Sequence, residues 1–321
     1  MTNAYRHHFD QAYQLRRLVR VSAGRARVVS LVSGKGGVGK SNIAANLAVS
    51  LAQAGRSVVL IDADLALANL DILFNIPPGL NLSHLLKSPR NTTDVIIEIT
   101  PGLRLLPGAS GLTFLAEMSD FQRAQLLNLF EQLQASADFL IIDASAGLSA
   151  NVLSCAAAAD DVLVVTTPEP TAVTDAYAVI KVLLSEMHLS GISLVVNMAK
   201  NISQVRSVHS RIAHAAGRFL GFDLSLAGSV LSDRHVRLAV NSRRPFMWSF
   251  PRCCASRCVR RLAKHLLRLD RVTCPELSFM GLTRDRRLTN AHRSEDYRRP
   301  DHRLAGILSN SLRAAPQCVV D

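Results

Sequence analysis

The residues of this 321-residue chain best suited to chemistry stand between Ser33 and Asn42, in the run SGKGGVGKSN. Gly34, Gly36, Gly37 and Gly39 have no Cβ, so the backbone can turn tightly and aim successive N–H groups at phosphate oxygens. Lys40 adds a point charge near the β- and γ-phosphates, and the Ser41 hydroxyl is placed to ligate Mg2+. The spacing G-x-x-x-x-G-K-S is complete, which makes Gly34, Lys35, Gly36, Gly37, Val38, Gly39, Lys40, Ser41 and Asn42 the expected contacts of a nucleotide and its phosphates. Three carboxylates close apolar runs elsewhere: Asp62 and Asp64 in VVLIDAD, and Asp143 in FLIID. Beside a phosphate loop, one such carboxylate can hold Mg2+ directly or through water while a neighbour orients the attacking water. Asp64 is assigned to the water, and Asp62 and Asp143, with Ser41, to the magnesium. A single strand-end aspartate caps the turn that follows as often as not, but three in register with the loop favour the metal and water roles.

These groups need strands that deliver them to one edge. Val28–Val32, Val58–Asp62, Leu103–Leu106, Phe139–Asp143, Val162–Thr166, Ile192–Asn197 and Leu224–Val230 are short apolar runs. Helical stretches separate most of them, notably Ser41–Ala54, Phe121–Ala135 and Thr174–Met187. Strands apolar on both faces and joined by helices predict an α/β fold, with a mostly parallel sheet covered by helices on both sides. Ligands of such sheets sit at the C-terminal strand ends, where the three aspartates fall.

Composition fits one domain with appendages: 48% of residues are hydrophobic, enough for a full core. No apolar run approaches the roughly 18 residues of a membrane span, and the polar N-terminus MTNAYRHHFDQ has no signal-peptide core, so a cytoplasmic location is expected. The net charge of +12 is concentrated late, with 15 Lys and Arg against 7 Asp and Glu from Pro251 onward. Five of the six cysteines (Cys253, Cys254, Cys258, Cys274 and Cys318) also fall there, leaving Cys155 alone in the expected core, which is no disulfide framework. Cys253, Cys254 and Cys258 are close together, but there is no C-x-x-C and no second ligand pair at zinc spacing.

Lys35 lies too far forward in the loop to duplicate Lys40, and it resembles the signature lysine of the deviant Walker A family that includes MinD, ParA, the nitrogenase iron protein and FlhG/FleN. The resemblance implies that Lys35 reaches the nucleotide of the other protomer, so that ATP binding and homodimerisation are coupled, and that Lys35, Lys40 and Asp64 are catalytic. DADLALANLD is similar to the family's switch I and IIDASAGLSANV to its switch II, while Asn197 in VVNMAKN matches the residue that recognises adenine. Ala66 stands where these proteins usually carry glycine, which bears on the hydrolysis rate.

Two amphipathic segments flank the nucleotide domain. Phe9–Val19 (FDQAYQLRRLV) places Phe9, Ala12, Leu15, Leu18 and Val19 at helical spacing. It is similar to the DQAxxLR element of FlhG, which implies contact with the GTPase FlhF through Asp10, Gln11, Leu15 and Arg16, with Gln11 stimulating GTP hydrolysis. Ala255–Asp270 places Val259, Leu262 and Leu266 opposite Arg257, Arg260, Arg261, Lys264 and Arg268. Such a helix suits an anionic membrane surface, and its position matches the family's membrane-targeting helix, although periodicity alone supports packing against the domain equally well.

The expected organisation is therefore a partner-binding helix over residues 1–24, a MinD-like ATPase domain over 25–250, a membrane-targeting helix over 251–270 and a basic, disordered tail over 271–321. The resemblance implies an FlhG/FleN-type switch that controls flagellar number and placement at the cell pole, acting on FlhF and on a transcription activator of the FleQ or FlrA type, without sequence-specific DNA contact of its own. The alternatives are a ParA-type partition ATPase, which the basic tail would suit, and a MinD-type division-site ATPase. An iron–sulfur carrier would need paired core cysteines, where this chain has only Cys155.

Overall fold

The computed structural model describes residues 25–64, 68–77, 79–87, 94–108 and 120–269. Asp10, Gln11, Leu15 and Arg16 of the expected N-terminal helix, the substitution at Ala66, and the tail with Cys274 and Cys318 lie outside the described residues. In chain order the elements are β1 (Arg27–Ser33), α1 (Lys40–Gln53), β2 (Val58–Ala63), α2 (Leu70–Leu73), α3 (Leu82–Lys87), β3 (Ile97–Thr100), β4 (Leu103–Leu106), α4 (Asp120–Ala135), β5 (Phe139–Ala146), α5 (Ala150–Ala157), β6 (Asp161–Thr166), α6 (Pro170–Ser185), β7 (Ile192–Ala199), α7 (Ile202–Leu220), β8 (Ser225–Leu231), α8 (Arg234–Asn241), α9 (Phe246–Ser249) and α10 (Cys254–Arg268).

The strands form one eight-stranded sheet in the order β3-β4-β2-β5-β1-β6-β7-β8. Every pairing is parallel except β3 with β4, joined by a tight turn through Pro101 and Gly102. The central strands are apolar on both faces because both faces are covered. Val28 and Val32 of β1 pack into the layer of α4, α5, α6 and α7, whereas Val29 and Leu31 pack into the layer of α1, α9 and α10. The expected α/β class with a mostly parallel, doubly covered sheet is what the chain forms. Neither Ile97–Thr100 nor the 19-residue α7 is among the elements expected from the sequence.

The C-terminal helix requires a correction. Val259, Leu262 and Leu266 of α10 are 0%, 1% and 1% exposed, packed with Ile43, Leu47 and Leu51 of α1 in the core. They face the protein and not a membrane. Burying such a side chain contributes about 1.5–3 kcal/mol, so the three together hold α10 on the sheet too firmly for a surface helix to peel away readily. Both ends are tied as well: the Ala255 N–H donates to Asp233 Oδ2 at 3.1 Å, and Arg27, paired with Asp161, donates to the Leu269 carbonyl at 2.7 Å. The basic residues Arg257, Arg261 and Lys264 are exposed on the outer side. Among the described residues no helix is long and apolar enough to cross a membrane.

Candidate active site

The loop between β1 and α1 sits at the C-terminal edge of the sheet, flanked by β5 on one side of β1 and β6 on the other. Gly39 initiates α1 with φ +83°, and a Cβ there would stand 2.4 Å from Asn197 Nδ2. At Gly34 a Cβ would meet the Asp175 carbonyl oxygen of α6 at 2.3 Å. Both positions therefore exclude any side chain, one by conformation and contact, the other by contact alone.

Parallel pairing of β2 with β5 sets Asp62 directly beside Asp143, so both carboxylates arrive at the same edge by strand register. Lys40 reaches across and donates to Asp143 Oδ1 at 2.6 Å, with both side chains buried. Burial pushes the Asp143 carboxyl up, while the Lys40 charge and hydrogen bonds from Lys40 and Ser41 pull it back. Asp62 is pushed up to about 7, chiefly by burial, with the charge of Asp143 adding to it. Three backbone N–H groups oppose that shift: Asp64 donates to Oδ1 at 3.1 Å, and Asn69 and Leu70 donate to Oδ2 at 3.0 and 3.1 Å. Asp62 thus braces the turn into α2, accepting two of these bonds on Oδ2 and one on Oδ1. Asp64 accepts from the Ser145 hydroxyl at 3.2 Å, and its charge also acts on Asp143.

Asn197 ends up beneath the loop, almost fully buried. Its Nδ2 donates to the Val38 carbonyl at 2.7 Å, and its Oδ1 accepts from the Met198 N–H at 2.9 Å. In this arrangement it ties β7 to the phosphate loop, with both ends of its amide engaged. The Asn42 Oδ1 is buried without a hydrogen-bond partner among the described residues.

Lys35 points the other way, to the rim. Its ammonium donates to Glu169 Oε1 at 2.5 Å and to the Thr171 hydroxyl at 3.0 Å, where α6 begins with Pro170 at its first position. The Lys35 hydrogen bond, then that of Thr171 and the lysine charge, hold the exposed Glu169 carboxyl below its ordinary range. The structure also adds Glu169 and Thr171 at Lys35, and within the switch II segment it singles out Ser145 at Asp64 and Asn151, which donates to the Ala63 carbonyl at 3.1 Å. The sequence signal for Glu169 is slight, a charged residue before a proline in TPEPT.

The ParA family model, described as NUBPL iron-transfer P-loop NTPase, matches residues 25–267. The chain belongs to this family of P-loop ATPases. Its resemblance is of the FlhG/FleN type: it is 36% identical to the antiactivator FleN of Pseudomonas aeruginosa over 74% of this chain and 85% of that protein. It is also 36% identical to the flagellum site-determining protein YlxH of Helicobacter pylori, over 69% of this chain and 75% of that protein. Among solved structures, the cell-division ATPase MinD of Pyrococcus furiosus superposes with TM-score 0.62 at 25% identity, covering 76% of this chain and 99% of that one. The MinD of Pyrococcus horikoshii, solved with Mg-ADP, gives 0.60 at 24% and shares the fold.

The residues present fit a magnesium nucleotide. Ser41, Asp62, Asp64 and Asp143 form an oxygen-only donor set, which suits a hard cation. The corner sets Asp62, Asp64 and Asp143 around a single buried cation among the described residues, Lys40. When bound, the cation would neutralise phosphate charge, with Ser41 and Asp143 best placed to hold it.

Proposed function

We propose that this ATPase is a dimerising switch of the FlhG/FleN type, controlling flagellar number and placement. The observation that carries the reading is Lys35: a second lysine of the phosphate loop, turned away from its own site and held at the rim by two exposed side chains. ATP and Mg2+ bind along the loop, with Asn197 beside the base. Lys40 steadies the phosphates and Asp64, oriented by Ser145, positions the water for in-line attack. In the dimer Lys35 exchanges Glu169 for the nucleotide of the partner protomer. Closure excludes water from the phosphates, which strengthens every charge interaction there.

The flagellar assignment is supported by the two relatives at 36% identity, whose names are antiactivator and flagellum site-determining protein. Accordingly we assign as effectors an FlhF-type GTPase, engaged through Asp10, Gln11, Leu15 and Arg16, and a FleQ- or FlrA-type activator. Contact with an anionic polar membrane does not fall to the buried Val259, Leu262 and Leu266, and we assign it to the exposed basic face of the same helix, Arg257, Arg261, Lys264 and Arg268. Affinity capture tests the reading, using an Asp64→Ala variant with ATP so that the closed dimer persists. Recovery of an FlhF-type GTPase or a flagellar activator is the expected result, and a peptide spanning Met1 to Arg20 should stimulate that GTPase while its Gln11→Ala form does not. Recovery of chromosome-partition or division-site proteins instead, with an inert peptide, would overturn the flagellar assignment.

A further inference from the structure

Just past the C-terminal end of the edge strand β8, on the side of the α1 layer, side chains of three different chemistries converge. Asp233 Oδ1 and the His235 ring come from the start of α8, and Cys253 Sγ from the start of α10. One ligand atom from each lies within 4.8 Å of the others. The segments are far apart in sequence and meet because α10 docks on β8 and places its first turn over Asp233.

Each group is held in position by bonds that would survive a bound ion. Asp233 accepts the His235 N–H at 3.0 Å on Oδ1 and the Ala255 N–H at 3.1 Å on Oδ2, which fixes its carboxylate plane. Burial opposes ionisation of Asp233, yet these backbone bonds, the His235 ring and Cys253 keep its carboxyl below the ordinary range. Cys253 is the N-cap of α10 and accepts the Ser256 N–H at 3.4 Å on Sγ. The His235 ring is tilted against Phe250 with centroids 4.8 Å apart, and its Nδ1 lies 2.7 Å from Asp233 Oδ1. The His235 side chain is one-third exposed, so the cluster opens to solvent on one side and has an entry path.

We propose that Asp233, His235 and Cys253 form a binding site for a divalent transition metal, with Zn2+ the ion that fits the donors. One carboxylate oxygen, one imidazole nitrogen and one thiolate are a borderline-to-soft set that rejects Mg2+ and Ca2+, and three protein ligands plus a water complete the four-coordinate shell that Zn2+ prefers. On binding, the thiol proton leaves to solvent and His235 enters as the neutral ring, so the dication meets one carboxylate and one thiolate and the site is close to neutral. The ion takes the place of the direct His235–Asp233 hydrogen bond and ties the first turn of α8 to the first turn of α10. Its role is a structural staple. It is independent of the magnesium nucleotide and of the flagellar reading.

Cobalt binding to the purified full-length protein, stripped of metal with chelator and carrying Cys274→Ser and Cys318→Ser to silence the tail thiols, tests the proposal. One equivalent of Co2+ should give a sulfur-to-cobalt charge-transfer band that one equivalent of Zn2+ abolishes. Cys253→Ser, which keeps a good helix cap and so the fold, should remove the band and weaken Zn2+ binding at least about tenfold. His235→Gln should weaken binding comparably, while the Cys254→Ala/Cys258→Ala double variant keeps band and affinity. Zn2+ should also raise the melting temperature of the parent protein and not that of Cys253→Ser. A parent protein without the band, a band that survives Cys253→Ser, or one lost in the Cys254→Ala/Cys258→Ala variant would each overturn the site, the last by moving the metal to the neighbouring thiols.

Discussion

Lys40 and Lys35 belong to one loop and are held in opposite ways. Lys40 is buried against Asp143 at 2.6 Å in a corner formed by strand register, whereas Lys35 is exposed against Glu169 at 2.5 Å on a helix start. A buried pair is anchored: removing one partner strands a charge and costs about 3–5 kcal/mol, less where the remaining carboxyl takes up a proton. An exposed pair is screened by solvent and readily exchanged. The difference separates a lysine fixed in its own site from one held loosely enough to leave Glu169, as the proposed dimer requires.

The largest effect belongs to Lys40→Ala. It removes both the phosphate cation and the partner of Asp143, so ATP affinity measured by calorimetry should fall by more than about a thousandfold, a strong charge-assisted hydrogen bond together with the cost of leaving Asp143 without its cation. Next is Asp64→Asn, for which phosphate release should drop by about two to three orders of magnitude while ATP binding stays within a few-fold. Equal losses of binding and turnover in Asp64→Asn would place it with Lys40 as a binding residue and not with the water.

A third effect concerns pH. The folded-state pKa of Asp62 lies near 7, above its ordinary value of 3.8, so between these limits the native state holds a proton that the unfolded state has lost. The sign follows: without nucleotide, the Asp62 contribution to stability is greatest below about pH 4 and falls as pH rises to about 7, by a few kcal/mol at most. Thermal melts should show a shallower decline over that window in Asp62→Asn. An unchanged slope would remove Asp62 as its source. The smallest effect is expected from Glu169→Gln, which weakens the hold on Lys35 and should lower the ATP concentration needed for dimerisation by no more than a few-fold, read by light scattering.

The anchored half of the site was legible in the sequence because it is written in local spacing. The loop motif fixes Lys40 and Ser41, and an apolar run ending in aspartate announces a strand end wherever it pairs. The Lys35 rim was not, since Glu169 and Thr171 reach it only through the placement of α6. Asn197 was matched to adenine recognition by resemblance alone, and only the fold brings it to the loop with its amide engaged by Val38 and Met198. Periodicity identified α10 as amphipathic without saying what its apolar face meets, and packing answered with α1 and β8. The long α7 carried a readable signal in Val205, Val208, Ile212 and Ala216, all buried, diluted by the polar residues between them. The four-residue β3 is too short to show a period. Asp233, His235 and Cys253 carry no motif spacing and become neighbours only when α10 docks.

The most direct test of the division between the two lysines is light scattering of Lys35→Ala with ATP and Mg2+, beside a parallel measurement of nucleotide affinity. Lys35→Ala should bind ATP within a few-fold of the parent but remain monomeric and lose most of its ATPase activity. A Lys35→Ala protein that still dimerises with ATP, or one that loses nucleotide binding as Lys40→Ala does, would contradict it.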